Sequence, residues 1–330
     1  MKLGIICSDG FELTEIKSAC ITNGVKYEVI DFKNPDWFKS CENLDGYLIR
    51  PPCQYQEHKT IFDERIYLLN KVLKRKVYPS FEELYVYESK RNMALFMQAY
   101  QLPHVKTKVY MDYNTLKAGL CEFTYPVVVK SNIGAGSSGV RILNKESELK
   151  KIGRKIFNRI NPLLSKGFSP TKKYKGIQIP LHGVAQKHFL IIQDFIKLKV
   201  EWRMIRIGNS YFGHQKLIGQ NGMASGSLLV GWEKPPLKLL ELLHNATEAM
   251  SMDCMVLDIF EDINGKYYIN EMQTIIGAIL PYQMKVDGKP GRYKRVDDEF
   301  IFEPGEHCTN KCWDLRVAHF IKKLKGEQGE

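Results

Sequence analysis

The segment YPVVVKSNIGAGSSGVRIL, residues 125–143, decides the fold. It joins an apolar run tipped by Lys130, a glycine- and serine-rich loop, and a second apolar run. Gly134, Gly136 and Gly139 match G-x-G-x-x-G, the dinucleotide-binding fingerprint. That fingerprint needs a helix directly after the loop, because the helix N-terminus holds the pyrophosphate. Here Val140, Ile142 and Leu143 follow, and helical patterning resumes only near Glu146. The segment therefore reads as strand–loop–strand. A hairpin of that kind lays backbone N–H groups over a phosphate chain while a lysine at its base neutralises charge. A protein-kinase reading fails: kinases carry the lysine on a strand after the loop, and no H-R-D or D-F-G follows here.

A chain of 330 residues can hold two or three subdomains with a real core. The N-terminus, MKLGIICSDG, has only a short apolar run before Asp9, and no stretch nears the roughly 18 apolar residues of a membrane span. The expectation is a cytoplasmic protein with no membrane partner. Eight cysteines scattered over the chain read as thiols in a reducing compartment. The one tempting cluster is His307, Cys308, Cys312 and His319. A structural zinc site usually shows two closely spaced, matching ligand pairs, so thiols beside a C-terminal helix are the preferred reading.

The formal charge is +11, and it is unevenly spread. Between Lys150 and Lys187 stand ten Lys/Arg and no acid. A solvated basic face is the ordinary reading, and an electrostatic footprint for an anionic ligand the sharper one. Nucleic acid is disfavoured as a partner, since no interleaved aromatic pattern accompanies the charge.

Along the chain, residues 2–7, 27–31 and 47–50 read as strands around a helix over 12–23, which predicts a small parallel α/β domain. Further helices are expected over 61–75 and 89–99, with a short edge strand at 77–79. Beyond Val109, strands are expected at 127–130, 140–143, 190–193 and 202–207, and a helix over 235–250. Residues 161–187 are polar, basic and broken by Pro and Gly, as in a mobile lid. The class is α/β, α+β in part.

Three further pieces carry chemistry. In LDIFEDINGKYYINEMQ, residues 257–273, the Asn264-Gly265 turn folds two apolar strands into a hairpin that brings Asp258 and Glu271 together. Magnesium takes a few carboxylate oxygens plus phosphates and water. Glu271 and Gln273, two apart on a strand, face the same side. In IIQDFIKLKVEWRMIRIG, residues 191–208, a short crossover between two strands can offer backbone groups to an adenine edge, with Glu201 free to accept ribose hydroxyls. Lys90 opens the helix over 89–99. Each piece alone has a bland reading as strand connection or surface.

In this order the residues resemble the ATP-grasp superfamily, specifically its carboxylate–amine ligase branch of D-alanine–D-alanine ligase, glutathione synthetase and ribosomal-protein glutamate ligase type. The resemblance covers most of residues 80–280. It implies an ATP-grasp fold divided into an N-terminal preATP-grasp α/β domain (1–107), a small lid subdomain (108–196) and a large subdomain with the metal site and C-terminal helix (197–330). It implies that Lys90 and Lys130 contact ATP phosphates while Gly134, Ala135, Gly136, Ser137, Ser138 and Gly139 close over them. Gln193, Asp194, Phe195, Ile196 and Lys197 would line the adenine pocket and Glu201 hold the ribose. Asp258, Glu271 and Gln273 would bind two Mg²⁺, or Mn²⁺, although relatives usually carry Asn where this chain has Gln273. Arg203 matches an arginine that holds the transferred phosphoryl group, a bidentate task suited to guanidinium. Lys216, Ser225, Gly226 and Ser227 lie in the variable loop that would admit the substrates. The implied reaction joins a carboxylate to an amine, or a thiol, through an acyl phosphate. The basic lid and Arg50 suit an anionic small-molecule or peptide substrate, and relatives of this kind are often homodimers. A nucleotide-regulated nucleic-acid- or polyanion-binding protein using the basic 150–187 segment is the alternative from a different class.

Overall fold

Short apolar runs at the N-terminus form β1 (Lys2–Cys7), β2 (Lys26–Ile30) and β3 (Gly46–Arg50), with α1 (Leu13–Thr22) crossing between the first two. With α2 (Gln56–Tyr67) and the two-residue edge strand β4 (Val77–Tyr78), they build an all-parallel sheet of order β2-β1-β3-β4. Leu3, Ile5 and Leu48 face one core and Ile6, Tyr47 and Ile49 the other, as burial on both faces of a parallel sheet requires. This is the computed structural model of the chain, and it describes residues 1–7, 11–53, 55–134, 139–158, 161, 164–168, 186–219, 224, 227 and 229–326.

The helix expected over 61–75 begins earlier. Its buried stripe is Lys59, Phe62, Ile66 and Leu69, and it winds on as one π-helical turn, Leu68–Val72. The first stripe position is a lysine, 1 % exposed and neutralised by Asp63 at 2.5 Å, so a pattern counted from apolar residues starts one turn late. Next come α3 (Phe81–Val86), opened by a Ser80–Glu83 capping box, and α4 (Lys90–Ala99). Glu83 also accepts the Cys254 N–H at 2.6 Å, tying α3 to the third sheet.

The second sheet is antiparallel, of order β5-β8-β6-β7: β5 (Thr107–Tyr110), β6 (Val127–Lys130), β7 (Val140–Leu143) and β8 (Leu190–Asp194). Helices α5 (Tyr113–Ala118) and α6 (Glu146–Phe157) cover it around its own core, including Leu116, Val129, Leu149 and Ile192. The β6–β7 unit is the expected hairpin, Lys130 pairing Val140 at its loop end. Most of the basic segment expected to be a lid, 159–160, 162–163 and 169–185, lies outside the described residues.

After three linker residues, 195–197, the chain enters the large sheet. Its strands are β9 (Leu198–Ile207), β10 (Ser210–Lys216), β11 (Val230–Gly231), β12 (Cys254–Asp262), β13 (Tyr267–Gln273), β14 (Lys285–Val286), β15 (Lys289–Val296) and β16 (Glu299–Pro304), with α7 (Leu237–Ala249) between β11 and β12. The main path runs β13-β12-β9-β10-β15-β14, with β11 on β10 and β16 on β15. The β12–β13 hairpin closes through the Asn264-Gly265 turn, Gly265 at φ +75°.

The last helix, α8 (Trp313–Lys325), returns to the first domain. Trp313 donates to Glu12 at 2.8 Å, Lys311 pairs Glu15 at 2.7 Å, and Phe320 stacks on Tyr78 with centroids 5.3 Å apart. The helix assigned by sequence to the 197–330 segment thus packs on the N-terminal sheet. Gly46 permits this approach, since a Cβ there would sit 2.5 Å from Phe320 Cζ. Gly46→Ala should therefore lower the unfolding free energy by about 1–3 kcal/mol through overpacking, read by urea denaturation. Adding Phe320→Leu should recover part of the loss; an unaltered midpoint for the single variant would contradict the close-packed contact.

Candidate active site

One row of side chains crosses four strands of the large sheet. Glu271 on β13 pairs Asp258 on β12, Asp258 pairs Arg203 on β9, and Arg203 pairs His214 on β10. Paired residues project from the same face, so the row runs acid, acid, guanidinium, imidazole. Two residues along, Lys216 pairs Glu201. Arg203 grips Asp258 through Nε–Oδ1 at 2.8 Å and Nη2–Oδ2 at 2.9 Å, and Lys216 Nζ reaches Oδ2 at 3.0 Å while also bonding Glu201. Burial opposes ionisation of Asp258, but Arg203 and Lys216 outweigh it and hold the carboxyl well below the usual range.

A register shift beside Asp258 leaves Asn270 without a cross-strand partner, since Asp258 pairs Glu271 while the next residue, Ile259, pairs Ile269. Such a bulge re-aims side chains, and Asn270 and Glu271 both line one cavity. Asn270 Oδ1 accepts from Lys130 Nζ at 2.7 Å, joining the second sheet to the third. Burial brings the Lys130 pKa down to about 8 despite the attraction of Glu271, with Lys90 adding to the fall. Lys90 Nζ donates to the Gly134 carbonyl at 3.1 Å and stands 3.6 Å from Glu271. Burial likewise opposes ionisation of Glu271, and Lys90 and Lys130 more than offset it.

The cavity holds about 1020 Å³ and brings most of the expected residues together. Lys90, Lys130, Gly134 and Gly139 border one side; Gln193, Asp194, Phe195, Ile196 and Lys197 border the linker; Glu201, Arg203, Lys216, Ser227, Glu271 and Gln273 border the large sheet. Gly139 sits where a Cβ would collide with Ser131. Ala135, Gly136, Ser137, Ser138, Ser225 and Gly226 lie outside the described residues. Asp258 does not line the cavity; it lies 2 % exposed under Arg203 and Lys216. Glu201 is the fourth residue of β9, equally buried and held by Lys216. Ser227 Oγ is engaged locally, donating to the Leu217 carbonyl at 2.7 Å. Arg50 borders the cavity too, but Glu12 at 3.4 Å and Tyr87 Oη at 3.0 Å already partner it.

The donor set can be tested against a metal. Asp258, Glu271 and the Gln273 amide are hard oxygen donors, with Gln273 Nε2 turned to Glu271 at 3.3 Å. Among the described residues no three His, Cys, Asp or Glu side chains form a protein-built metal cage. Two carboxylates and an amide fit a magnesium ion that shares its shell with phosphates, and do not fit a fully caged ion. The C-terminal quartet forms no ligand set: His307 meets the Glu303 carbonyl at 3.4 Å, His319 meets Tyr78 at 3.0 Å and Asp253 at 3.6 Å, and Cys308 and Cys312 are buried.

Sequence reading passed over His214, Asn270, Glu88 and Trp232, all bordering the cavity. A signal existed for two of them. His214 precedes Lys216 by two on one strand and so shares its face, and Asn270 is a polar residue inside Ile269–Met272. Glu88 and Trp232 are placed by tertiary packing alone.

No protein-family model matches the chain, and no curated protein matches it significantly. Solved structures do. It aligns over 99 % of its length with 99 % of D-alanine–D-alanine ligase from Bacillus anthracis, at TM-score 0.59 and 13 % identity. It aligns over 89 % of its length with 82 % of N5-carboxyaminoimidazole synthetase from Staphylococcus aureus complexed with ADP, at TM-score 0.61 and 11 % identity. A RimK domain protein, ATP-grasp, from Sphaerobacter thermophilus matches 82 % of the chain over 90 % of its own, at TM-score 0.54 and 13 % identity. The chain has the ATP-grasp fold. At such identities the likeness rests on geometry, and the ATP-grasp frame is what it establishes. Among the described residues no helix is long and apolar enough to cross a membrane.

His214 gives the site a pH signature. Its Nδ1 lies 3.0 Å from the Gln283 carbonyl, so that nitrogen carries the proton. Burial, reinforced by Arg203, lowers its pKa from 6.5 to about 4. Between those values the unfolded chain is the better proton binder, so stability rises with pH across the window and is lost as pH falls. His214→Gln should flatten that slope by up to about 3 kcal/mol, measured by urea denaturation from acid to neutral pH. An identical slope in the variant would contradict a neutral, buried imidazole.

Proposed function

We propose that this chain is an ATP-dependent ligase that joins a carboxylate to an amine, or a thiol, through an acyl phosphate, releasing ADP and phosphate. The observation that carries the reading is the single cavity in which Lys90, Lys130, Arg203 and Lys216 converge with Glu271 and Gln273 beside a three-residue linker. Likeness to a D-alanine–D-alanine ligase and to a synthetase complexed with ADP supports it. On this reading residues 1–107 help form the acceptor side, 108–196 cover the nucleotide and 197–330 supply the metal and phosphoryl chemistry.

The chain's own residues would do positional work, since phosphoryl transfer asks mainly for alignment and charge neutralisation. Lys90 and Lys130 would leave Gly134, Glu271 and Asn270 to neutralise phosphate oxygens. The 134–139 hairpin loop would cover those oxygens with backbone N–H groups, and residues 193–197 would line the base. Glu201 would accept from the ribose. Arg203 would hold the transferred phosphoryl group and then the acyl phosphate, keeping water out of the bond being exchanged. Asp258, Glu271 and Gln273 would hold Mg²⁺, which supplies compensation for charge on the phosphates. Lys216 and the loop containing Ser225, Gly226 and Ser227 would border the incoming substrates. At least one substrate would be anionic, matched by the basic 150–187 segment.

The reading is tested by ADP release with Mg²⁺ over pools of carboxylic acids crossed with pools of amines and thiols. Release should require both pools. Lys130→Ala and Glu271→Ala should each reduce it by about 10²-fold or more. Hydroxylamine in place of the amine should trap a hydroxamate. If Mg²⁺ and ATP together fail to bind the wild-type protein, the nucleotide assignment falls; binding with no turnover in any pool would remove the ligase half alone.

A further inference from the structure

Asp258 is the member of the proposed metal set that the cavity does not reach. Both its oxygens are taken, by Arg203 at 2.8 and 2.9 Å and by Lys216 at 3.0 Å. Lys216 also binds Glu201, so one ammonium spans two carboxylates that are each 2 % exposed. A cation clasped between two buried carboxylates has the charge sign and the oxygen surroundings of a bound metal ion.

We propose that Lys216 is a built-in stand-in for the divalent cation: it keeps Asp258 closed until a polyphosphate draws it away, so that metal enters only with nucleotide. The inference rests on the ATP-and-metal reading above. Leaving buried carboxylates such as Glu201 and Asp258 unpaired costs several kcal/mol per ion, so cations must accompany them before any ligand arrives. Lys90, Lys130, Arg203 and Lys216 provide that cover for Glu201, Asp258 and Glu271. Four cations against three acids leave the cluster with no surplus negative charge. A bare divalent ion would add two uncompensated positive charges in a poorly screened site. A bare triphosphate would strip the cations from the acids and leave those exposed to one another. Metal and triphosphate together avoid both costs, because the phosphates take Lys216 and Arg203 while the metal takes Asp258 and Glu271. Lys216 and Arg203 both border the cavity and so are placed for that exchange.

The full chain can be titrated with Mn²⁺ and followed by electron paramagnetic resonance, with and without the non-hydrolysable ATP analogue AMP-PNP. Wild type should take up Mn²⁺ strongly only when AMP-PNP is present. Lys216→Met should bind Mn²⁺ without nucleotide at least about tenfold more tightly than wild type, and the coupling between Mn²⁺ and AMP-PNP should shrink by a similar factor. Because removing one cation from two buried acids can unfold the sheet, Lys216→Met with Glu201→Gln removes one charge of each sign and should show the same gain. Equal Mn²⁺ affinity of wild type with and without AMP-PNP overturns the proposal. So does a folded double variant whose nucleotide-free Mn²⁺ affinity matches wild type. Wild type that binds AMP-PNP neither with nor without Mn²⁺ overturns the nucleotide reading as well, which separates the two failures.

Discussion

The buried pairing of Asp258 with Arg203 and Lys216 constrains everything around it. A carboxylate at 2 % exposure can stay ionised only if its partners arrive from fixed positions on neighbouring strands. Arg203 arrives from β9 and Lys216 from β10, so the registers of three adjacent strands are set by one ion cluster. A one-residue slip of β9 would turn Arg203 to the opposite face and leave Asp258 with half its compensation. The apolar residues between the charges, Met204 and Leu257 among them, enforce the same register from the other face, each fully buried. Charge and packing agree, and that agreement makes the sheet specific.

The other two sheets are aligned to that row by polar ties. Lys130 bonds Asn270 from the end of β6, and Lys90 spans Gly134 and Glu271 from the first turn of α4. The bulge at Asn270 makes this convergence possible, because regular alternation would point Asn270 and Glu271 to opposite faces. The N-terminal sheet is fastened from behind, by Glu83 to the Cys254 amide and by α8 lying on α1. Cations from three segments therefore meet acids from one hairpin without a rigid domain spanning them all.

Much of this was legible from sequence, for identifiable reasons. The β6–β7 strands coincide with residues 127–130 and 140–143 because a glycine loop between two β-branched runs allows few alternatives. The turn signal placed Asp258 and Glu271 near the same end of one hairpin, but their direct pairing comes from the bulge at Asn270. What stayed hidden depends on cross-strand geometry. That Asp258 is capped by Arg203 and Lys216 follows from strand order β12-β9-β10, which periodicity does not encode. Lys59 escaped notice as a core position because a lysine reads as surface until its partner Asp63 is seen. His214 escaped because a histidine in a strand carries no sign of its neighbours, although its spacing from Lys216 put both on one face.

The two halves of the cavity are built on different principles, and this bears on what each can determine. The charged half stands on strands β9, β10, β12 and β13, where register fixes positions and few substitutions are neutral. The opposite half is made from connections: residues 275–277, 279–280 and 283 after β13, Ile218, Ala224, Ser227, Leu229 and Val230 after β10, and the Glu12, Arg50 and Tyr87 group of the first domain. Loops tolerate exchange of side chains far better than a sheet row with a buried ion cluster does. On the ligase reading, phosphoryl chemistry would then be a property of the sheet and substrate choice a property of those connections. Arg50 is instructive here, because its Nη1 already donates to the Pro51 carbonyl and Tyr87 Oη while Glu12 pairs its Nε at 3.4 Å. An anionic substrate would have to displace Glu12 to be held by it. A substrate carrying both an ammonium and a carboxylate could instead bridge the pair without breaking it, meeting each charge with its opposite.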